Sequence, residues 1–273
     1  TDAWTIRNVF RRIGTGTDYY NTYPNGICLQ LANSCSTSAN VLANVAADDS
    51  RLRVVRGQYN GLSRQTNYFN QTEAVGIVNT FGVSHTILAG FEIGSQQRRS
   101  MTFRNSSASP VRFIDPILTP PVNNGAVSNN NNFKGEIFGV YFQDQISLGK
   151  NWKALVGIRY DNFRQTLEDF IPNAPELNRT DKEWSPRVGL VYQPNEFLAF
   201  YTSYTRSFQP SGENLSLAAN NTELKPELTR NYEAGVKATL QPWRLNATLS
   251  VFRLDRNNIK TTDPTNPARL ILV

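Results

Sequence analysis

The side chains with chemistry to offer in this chain are one histidine, two cysteines and charged residues spaced two apart. His85 has no Cys or Asp at triad or metal-ligand spacing, so it is read as a surface or interface residue beside a turn. No glycine-rich loop of the phosphate-cradling kind occurs. Cys28 and Cys35 sit in a Gly/Asn/Ser-rich stretch. They suit a disulfide pinning a loop in an oxidising compartment, with two free thiols as the alternative; no accompanying His or further Cys argues for a metal. An enzyme is disfavoured. What remains is charge arranged by parity. From Trp152 onward, Lys153, Leu155, Gly157, Arg159 and Asp161 share one face of a strand, and Trp152, Ala154, Val156, Ile158 and Tyr160 share the other.

The element that positions these charges is a hairpin, Lys134–Leu148 and Trp152–Leu167, closed by a tight turn at Gly149-Lys150-Asn151. A soluble barrel turns its apolar face inward, whereas a membrane barrel turns it to lipid around a wet interior. The pattern recurs. Trp184, Pro186, Val188, Leu190 and Tyr192 oppose Ser185, Arg187, Gly189, Val191 and Gln193. Tyr232, Ala234, Val236, Ala238 and Leu240 oppose Asn231, Glu233, Gly235, Lys237 and Thr239. Trp243, Leu245, Ala247, Leu249 and Val251 do the same in the next segment. Trp152, Trp184, Trp243 and Tyr192 fall at strand ends, where amphipathic rings favour the headgroup level.

The 273 residues carry a formal charge of +6, with 11 Tyr, 15 Phe and 4 Trp. No run of about 18 apolar residues occurs, which excludes a spanning helix but not a barrel, whose strands hide their lipid face in alternation. Helix-favouring stretches are scarce; Gly212–Asn221 is the one short candidate and reads equally well as loop.

The expected strands are Ala3–Arg12, Asn67–Phe81, His85–Thr102, the hairpin, Lys182–Tyr192, Phe197–Phe208, Leu228–Leu240, Trp243–Arg256 and Ala268–Val273. Most of these, about 11–17 residues long, exceed the ordinary mode of about 5–6 and suit a membrane crossing of about 9–11. Connections alternate between short and long, as periplasmic turns and extracellular loops do in outer-membrane barrels. Gly82–Ser84, Gly149–Asn151, Pro194–Glu196 and Gln241–Pro242 are then the periplasmic turns. Long loops are expected at Ile13–Val54, Asn105–Asn132, Asp169–Asp181, Gln209–Pro226 and Asn257–Pro267.

Alternation falters at Gln71 and Glu73, in phase with Phe69 and Val75, and at Asp144, in phase with Phe142 and Ile146. A bulge or register change is expected near one of these sites, because a carboxylate facing lipid is costly at mid-depth. Gly157, Gly189 and Gly235 read as inward glycines making room for lumen contents. The start lacks a signal peptide and the end looks like the opening of an unpaired strand, so the chain reads as an internal piece of a longer protein.

Four stretches carry a resemblance: GVYFQDQISLGKNWKALVGIRYDNF, WSPRVGLVYQPNEFLAFYTSYTRSFQPSGE, LKPELTRNYEAGVKATL and LSVFRLDRNNIKTTDP. In order and spacing they resemble the barrel of TonB-dependent siderophore receptors, strongly from about Asn67 onward and less so before Gln65. The resemblance implies an all-β, antiparallel transmembrane barrel of about 22 strands, of which this chain would supply about ten. It implies a plug domain and closing strands elsewhere in the protein, and import of an Fe(III)-siderophore across the outer membrane of a Gram-negative bacterium, driven by the TonB–ExbB–ExbD complex. No covalent cofactor is expected.

A ferric siderophore, compact and often anionic, calls for arginine with aromatics near loop bases, since the guanidinium is a fixed fork that stacks on rings. The candidates are Arg98, Arg99, Phe103, Arg104, Arg112, Phe113, Phe163, Arg164, Tyr204, Arg206 and Phe208. Each also reads as a solvated loop charge or an anchor to lipopolysaccharide phosphate. Arg159, Asp161, Arg187, Glu233 and Lys237 are expected on the lumen wall, facing the plug or pairing across neighbouring strands. The basic balance leans towards a catecholate. A passive porin, which shares the barrel physics, is one alternative, and a TonB-dependent receptor for a non-siderophore ligand is another. Nucleic acid is disfavoured because the basic residues are scattered rather than gathered in a stripe.

Overall fold

In the computed structural model, all residues are described except 1–3, 33, 44, 47–48, 118–124, 211–216 and 241–244. The fold is almost wholly antiparallel β. The strands are β1 (Thr5–Gln30), β2 (Cys35–Ser36), β3 (Leu52–Thr80), β4 (Val83–Arg112), β5 (Ala126–Leu148), β6 (Trp152–Asp169), β7 (Leu177–Asn195), β8 (Leu198–Gln209), β9 (Glu227–Leu240), β10 (Leu245–Asn257), β11 (Lys260–Asp263) and β12 (Asn266–Leu272). Among the described residues a single helical turn, α1 (Ala39–Leu42), interrupts them. One ten-stranded sheet runs β10-β9-β8-β7-β6-β5-β4-β3-β1-β2, and β11 pairs with β12 alone. Apart from the two-residue β2, neighbours in sequence are neighbours in the sheet, which is the meander of an up-and-down barrel wall. Its two long edges, β1 and β10, are not joined to each other.

The short connections form where the sequence places them. Phe81 and Gly82 take positive φ of 51° and 80°, the geometry of a two-residue hairpin loop. Gly149, at φ 68°, closes β5 onto β6, and the Asn195 side chain accepts the Phe197 amide at 2.9 Å between β7 and β8. The expected turn at Gln241–Pro242, and Trp243 beside it, lie outside the described residues.

The long connections differ from expectation. Ile13–Val54 is not one loop, because β1 continues to Gln30 and β3 starts at Leu52, in unbroken register from Leu62 through Gly76 and beyond. Likewise β4 reaches Arg112, and the asparagine run Asn129–Asn132 lies within β5. The strands of 26, 29 and 30 residues far exceed a membrane crossing, so their distal halves stand in water. No lipid face is needed there, so apolar alternation vanishes while the ladder continues. It is held instead by tyrosines, Tyr19 and Tyr23 each about 6 Å from Tyr59, and by the Asp18–Arg64 ion pair.

Cys28 and Cys35 are joined at the tip of β1, with Cα atoms 5.4 Å apart and Cys28 fully buried. The expected loop Asn257–Pro267 contains β11, and the final segment folds back on it as β12. Asp263 makes this sharp reversal by accepting both the Thr265 amide and hydroxyl. Gly212–Asn221 lies partly outside the described residues; its end, from Ala219, is turn.

The faces settle by register. Val156 pairs with Val188, Val188 with Tyr204, Tyr204 with Tyr232, and Phe142 with Ile158, so these side chains share one face. That face is open: Val156, Val188 and Leu249 are 50%, 45% and 71% exposed. Two tiers of rings bound it. Trp152 lies 4.6 Å from Tyr192 at the turn end, and Tyr160 lies 4.9 Å from Trp184 nearer the loops. The eight-residue step from Trp152 to Tyr160 is roughly 27 Å along a strand, about 20 Å along the normal at barrel tilt. This is an apolar band of membrane scale, not a dry core.

Candidate functional site

The opposite face carries the chemistry. On the middle of the wall, Arg159 (β6) donates to Asp161 at 2.8 Å and reaches Glu92 (β4) at 3.4 Å. These strands are not neighbours, because β5 lies between them. The contact exists because β5 presents Gly139 at that point: a Cβ there would fall 2.6 Å from Arg159 Nη2. The same device recurs one step away. Tyr141 (β5) crosses Gly90 (β4) to donate to Glu73 (β3) at 3.2 Å, and Gln71 donates to the Tyr141 hydroxyl at 3.0 Å. Glu73 in turn pairs with Arg7 (β1) at 2.5 Å. The Arg159 guanidinium lies 5.5 Å from the Tyr141 ring, so one polar network spans the wall from β1 to β6.

This network explains the breaks in alternation. Gln71 and Glu73 are on the inner face, and the ladder there is regular. The expected bulge is absent, since the register shifts involving β3 and β4 lie at Pro24/Gly26, Val54/Arg56, Arg56/Gln58 and Thr102/Phe103. Asp144 does face outward, but His85 Nδ1 meets its carboxylate at 2.7 Å, close to the turn end of the band. A paired carboxylate near the interface removes the need for a register change. The inward glycines also differ from expectation. Gly157 is roofed by Arg187 and Gly235 by Tyr201, whose ring would meet a Cβ at 2.8 Å, so both make room for neighbouring strands rather than for lumen contents; only Gly189 has space.

The other wall charges have particular partners. Glu233 accepts the Tyr201 hydroxyl at 2.6 Å, and Lys237 Nζ lies 5.3 Å from the same ring. Nearer the loops Arg179 and Asp181 form a buried pair at 2.6 Å, and Arg179 also donates to the Thr222 carbonyl of the β8–β9 connection. Leu217 of that connection packs with Phe133, Leu167 and Leu177. This small apolar cluster folds the connection over the inner face.

Most of the candidate ligand residues divide by parity; Phe208 does not, since it shares the phase of outward Tyr204 along β8 yet lines the inner-face cavity at the loop end. Arg98, Phe163 and Phe208 come together. With Gln65, Glu92, Gln96, Arg159 and Asp161 they line a cavity of about 600 Å3 on the inner face, toward the long loops. Arg104 pairs with Tyr59 on that same face. Arg99, Phe103, Arg164 and Tyr204 alternate onto the outward face. Arg206 binds Glu183 at 2.7 Å and the Trp184 carbonyl, filling the gap above the last β7–β8 pair. Arg112 pairs with Asp115 in the exposed loop after β4, where Phe113 also lies. Glu73, Glu92, Tyr141 and Tyr201 were not among the candidates. Their signal is an aromatic or charged residue opposite a glycine, which becomes legible only once strands are aligned.

An antiparallel meander wall with a banded apolar exterior and a paired, charged interior defines an outer-membrane-type β-barrel. Residues 1–271 match the family described as TonB dependent receptor-like, beta-barrel. The metal-pseudopaline receptor CntO of Pseudomonas aeruginosa is 30% identical over 212 residues, covering 72% of this chain and 28% of that protein. The ferrichrome outer membrane transporter/phage receptor of Escherichia coli K12 is 25% identical over 272 residues, covering 96% of this chain and 35% of that one. Among solved structures, the ferric-catecholate import receptor Fiu of E. coli superposes with a TM-score of 0.76 at 19% identity, over 100% of this chain and 41% of that one. The siderophore receptor PiuA of Acinetobacter baumannii gives 0.74 at 21%, over 97% and 40%. The chain belongs to the TonB-dependent receptor β-barrel family, a family of receptors and not of enzymes. It spans about a third of the length of the curated relatives it matches.

Proposed function

We propose that this chain is a stretch of barrel wall from a longer outer-membrane receptor of a Gram-negative bacterium. The receptor imports a ferric siderophore, with a plug domain and closing strands supplied by the rest of the protein and energy by the TonB–ExbB–ExbD complex. The relatives' names support the ligand class: pseudopaline, ferrichrome and ferrioxamine B receptors all occur among them. The observation that carries the reading is the inner-face cavity at the loop end, where Arg98 stands with Phe163 and Phe208. A guanidinium offers its planar fork to an anionic oxygen pair, and the two rings supply stacking area to an aromatic or apolar rim. Below it, Arg159 is already held by Glu92 and Asp161, so it serves the wall rather than the ligand.

The test is iron-55 uptake by the full-length receptor in an iron-limited host lacking its own siderophore receptors, with a panel of ferric catecholates and hydroxamates. Uptake of at least one chelate is expected, and it should stop when the proton-motive force is dissipated. Arg98→Ala and Phe208→Ala are each expected to weaken binding about tenfold, or about 1.4 kcal/mol, at unchanged receptor levels. Solute entry that ignores the proton-motive force would mark a passive porin instead.

A further inference from the structure

An asparagine followed by glycine is the amide most open to attack by its own chain, because glycine sets no Cβ beside its backbone nitrogen. The sequence holds three such pairs, Asn25-Gly26, Asn60-Gly61 and Asn124-Gly125. Asn124 lies outside the described residues. The other two pairs stand on neighbouring strands, β1 and β3, in the part of the wall that leaves the membrane. Their settings are opposite.

Asn60 is 7% exposed and lies inside an unbroken ladder, opposite Tyr20 on β1 and Phe103 on β4. Gly61 pairs with Tyr19 and Thr102, and the Tyr19 ring lies over it where a Cβ would be. Extended backbone held by partners on both sides keeps the Gly61 nitrogen away from the Asn60 side chain. Asn25 is exposed and is the extra residue of a bulge. The register runs from Pro24 opposite Arg56 to Gly26 opposite Val55, and Asn25 has no partner in that ladder. Gly26 takes φ of 134°, and no atom stands within 4 Å of the place of its missing Cβ. The same register sets Arg53 opposite Cys28, so with Arg56 a cation flanks the bulge on either side. Positive charge nearby favours an amide nitrogen that has lost its proton and the oxyanion formed when it attacks.

We propose that Asn25 is a site of self-modification, a deamidation that the bulge permits at Asn25 and the ladder forbids at Asn60. The Gly26 backbone nitrogen gives up its proton and attacks Asn25 Cγ. A new C–N bond closes a cyclic imide, the bond from Cγ to Nδ2 breaks, and the amide group leaves with the proton as ammonia. Water then opens the imide. Addition at Cγ restores the original main chain and leaves aspartate. Addition at the main-chain carbonyl leaves isoaspartate, with one more carbon in the backbone. Water is the only co-reactant. Either product sets a carboxylate between Arg53 and Arg56, just before the tip that Cys28 and Cys35 close. The exposed end of β1 then carries a charge that depends on the age of the protein. The proposal is independent of the imported ligand.

The experiment incubates the full-length receptor, folded in detergent, at neutral and at mildly alkaline pH. Proteolytic peptides are followed by mass spectrometry, with electron-based fragmentation to tell aspartate from isoaspartate. Conversion at Asn25 is expected to be about tenfold faster than at Asn60, or more, a difference of about 1.4 kcal/mol in barrier. It should quicken as pH rises, since the attacking nitrogen must lose its proton. The same chain unfolded in urea should lose the contrast, with both sites converting at similar rates. Asn25→Gln, whose longer side chain closes a less favoured ring, is expected to stop the reaction at this position and leave Asn60 as it was. Equal rates at Asn25 and Asn60 in the folded wild type would overturn the proposal, whether or not the variant folds. So would an Asn25 that stays an amide in the folded receptor while the unfolded chain converts. Siderophore uptake has no part in this readout, so a failure of the import reading leaves the result unchanged.

Discussion

Gly90 and Gly139 do more for this wall than the charged residues that meet across them. Arg159 can touch Glu92, and Tyr141 can touch Glu73, only over a strand that offers no Cβ. Gly90→Val is therefore expected to push Tyr141 aside and break its bond to Glu73. The cost should be about 1–3 kcal/mol, as for other overpacked sites. Gly189→Ala is the contrast: its nearest neighbours stand 3.7 Å or more from a new Cβ, so it should be close to neutral. Unfolding midpoints of the detergent-solubilised barrel in urea distinguish the two. Equal effects would mean that the glycines matter for backbone freedom and not for the side chains they admit.

At the scale of the element, the distal halves of β1, β3 and β4 are hydrogen-bonded ladders that water could disrupt, so local polar staples matter more there than in the band. Asp49 is one. Its carboxylate accepts the Arg51 amide at 2.8 Å and holds the Arg51 guanidinium at 2.7 Å, just before β3 begins. These bonds to Arg51, the side-chain contact first, lower the Asp49 pKa from 3.8 to about 2. A depressed carboxylate stabilises the fold above its unfolded pKa, and that contribution is lost as pH falls through the folded value. The turn before β3 should hold at pH 4 and release as pH drops through about 2. A carboxyl carbon NMR titration of Asp49 with its midpoint near 3.8 would show that the pair does not form in solution.

For the whole molecule, the sheet has open edges at β1 and β10 and an exterior built for lipid; Leu249, Val251 and Ile6 are all more than 70% exposed. Unpaired backbone along an edge is unfavourable in hydrocarbon and a template for association in water. The 273-residue chain expressed alone should aggregate in plain buffer and stay dispersed only in detergent, as analytical ultracentrifugation would report. A monodisperse, cooperatively unfolding product without detergent would contradict the membrane assignment of the outward face.

The turns before β4, β6 and β8 and the two faces of β6, β7, β9 and β10 were legible in the residue order. A side chain's phase along a strand is local, and lipid demands an unmixed apolar phase that nothing else imitates. The same rule misread Ile13–Val54 and Asn105–Asn132, because strands that leave the bilayer keep their hydrogen bonds but lose the phase that announces them. Register was settled elsewhere, by pairing between distant segments. That pairing drew Arg98 and Phe163 together while turning Arg99 and Arg164 to the outside. Neither could be read along one strand, because a one-residue slip sends every side chain to the other face and only the folded sheet sets that count.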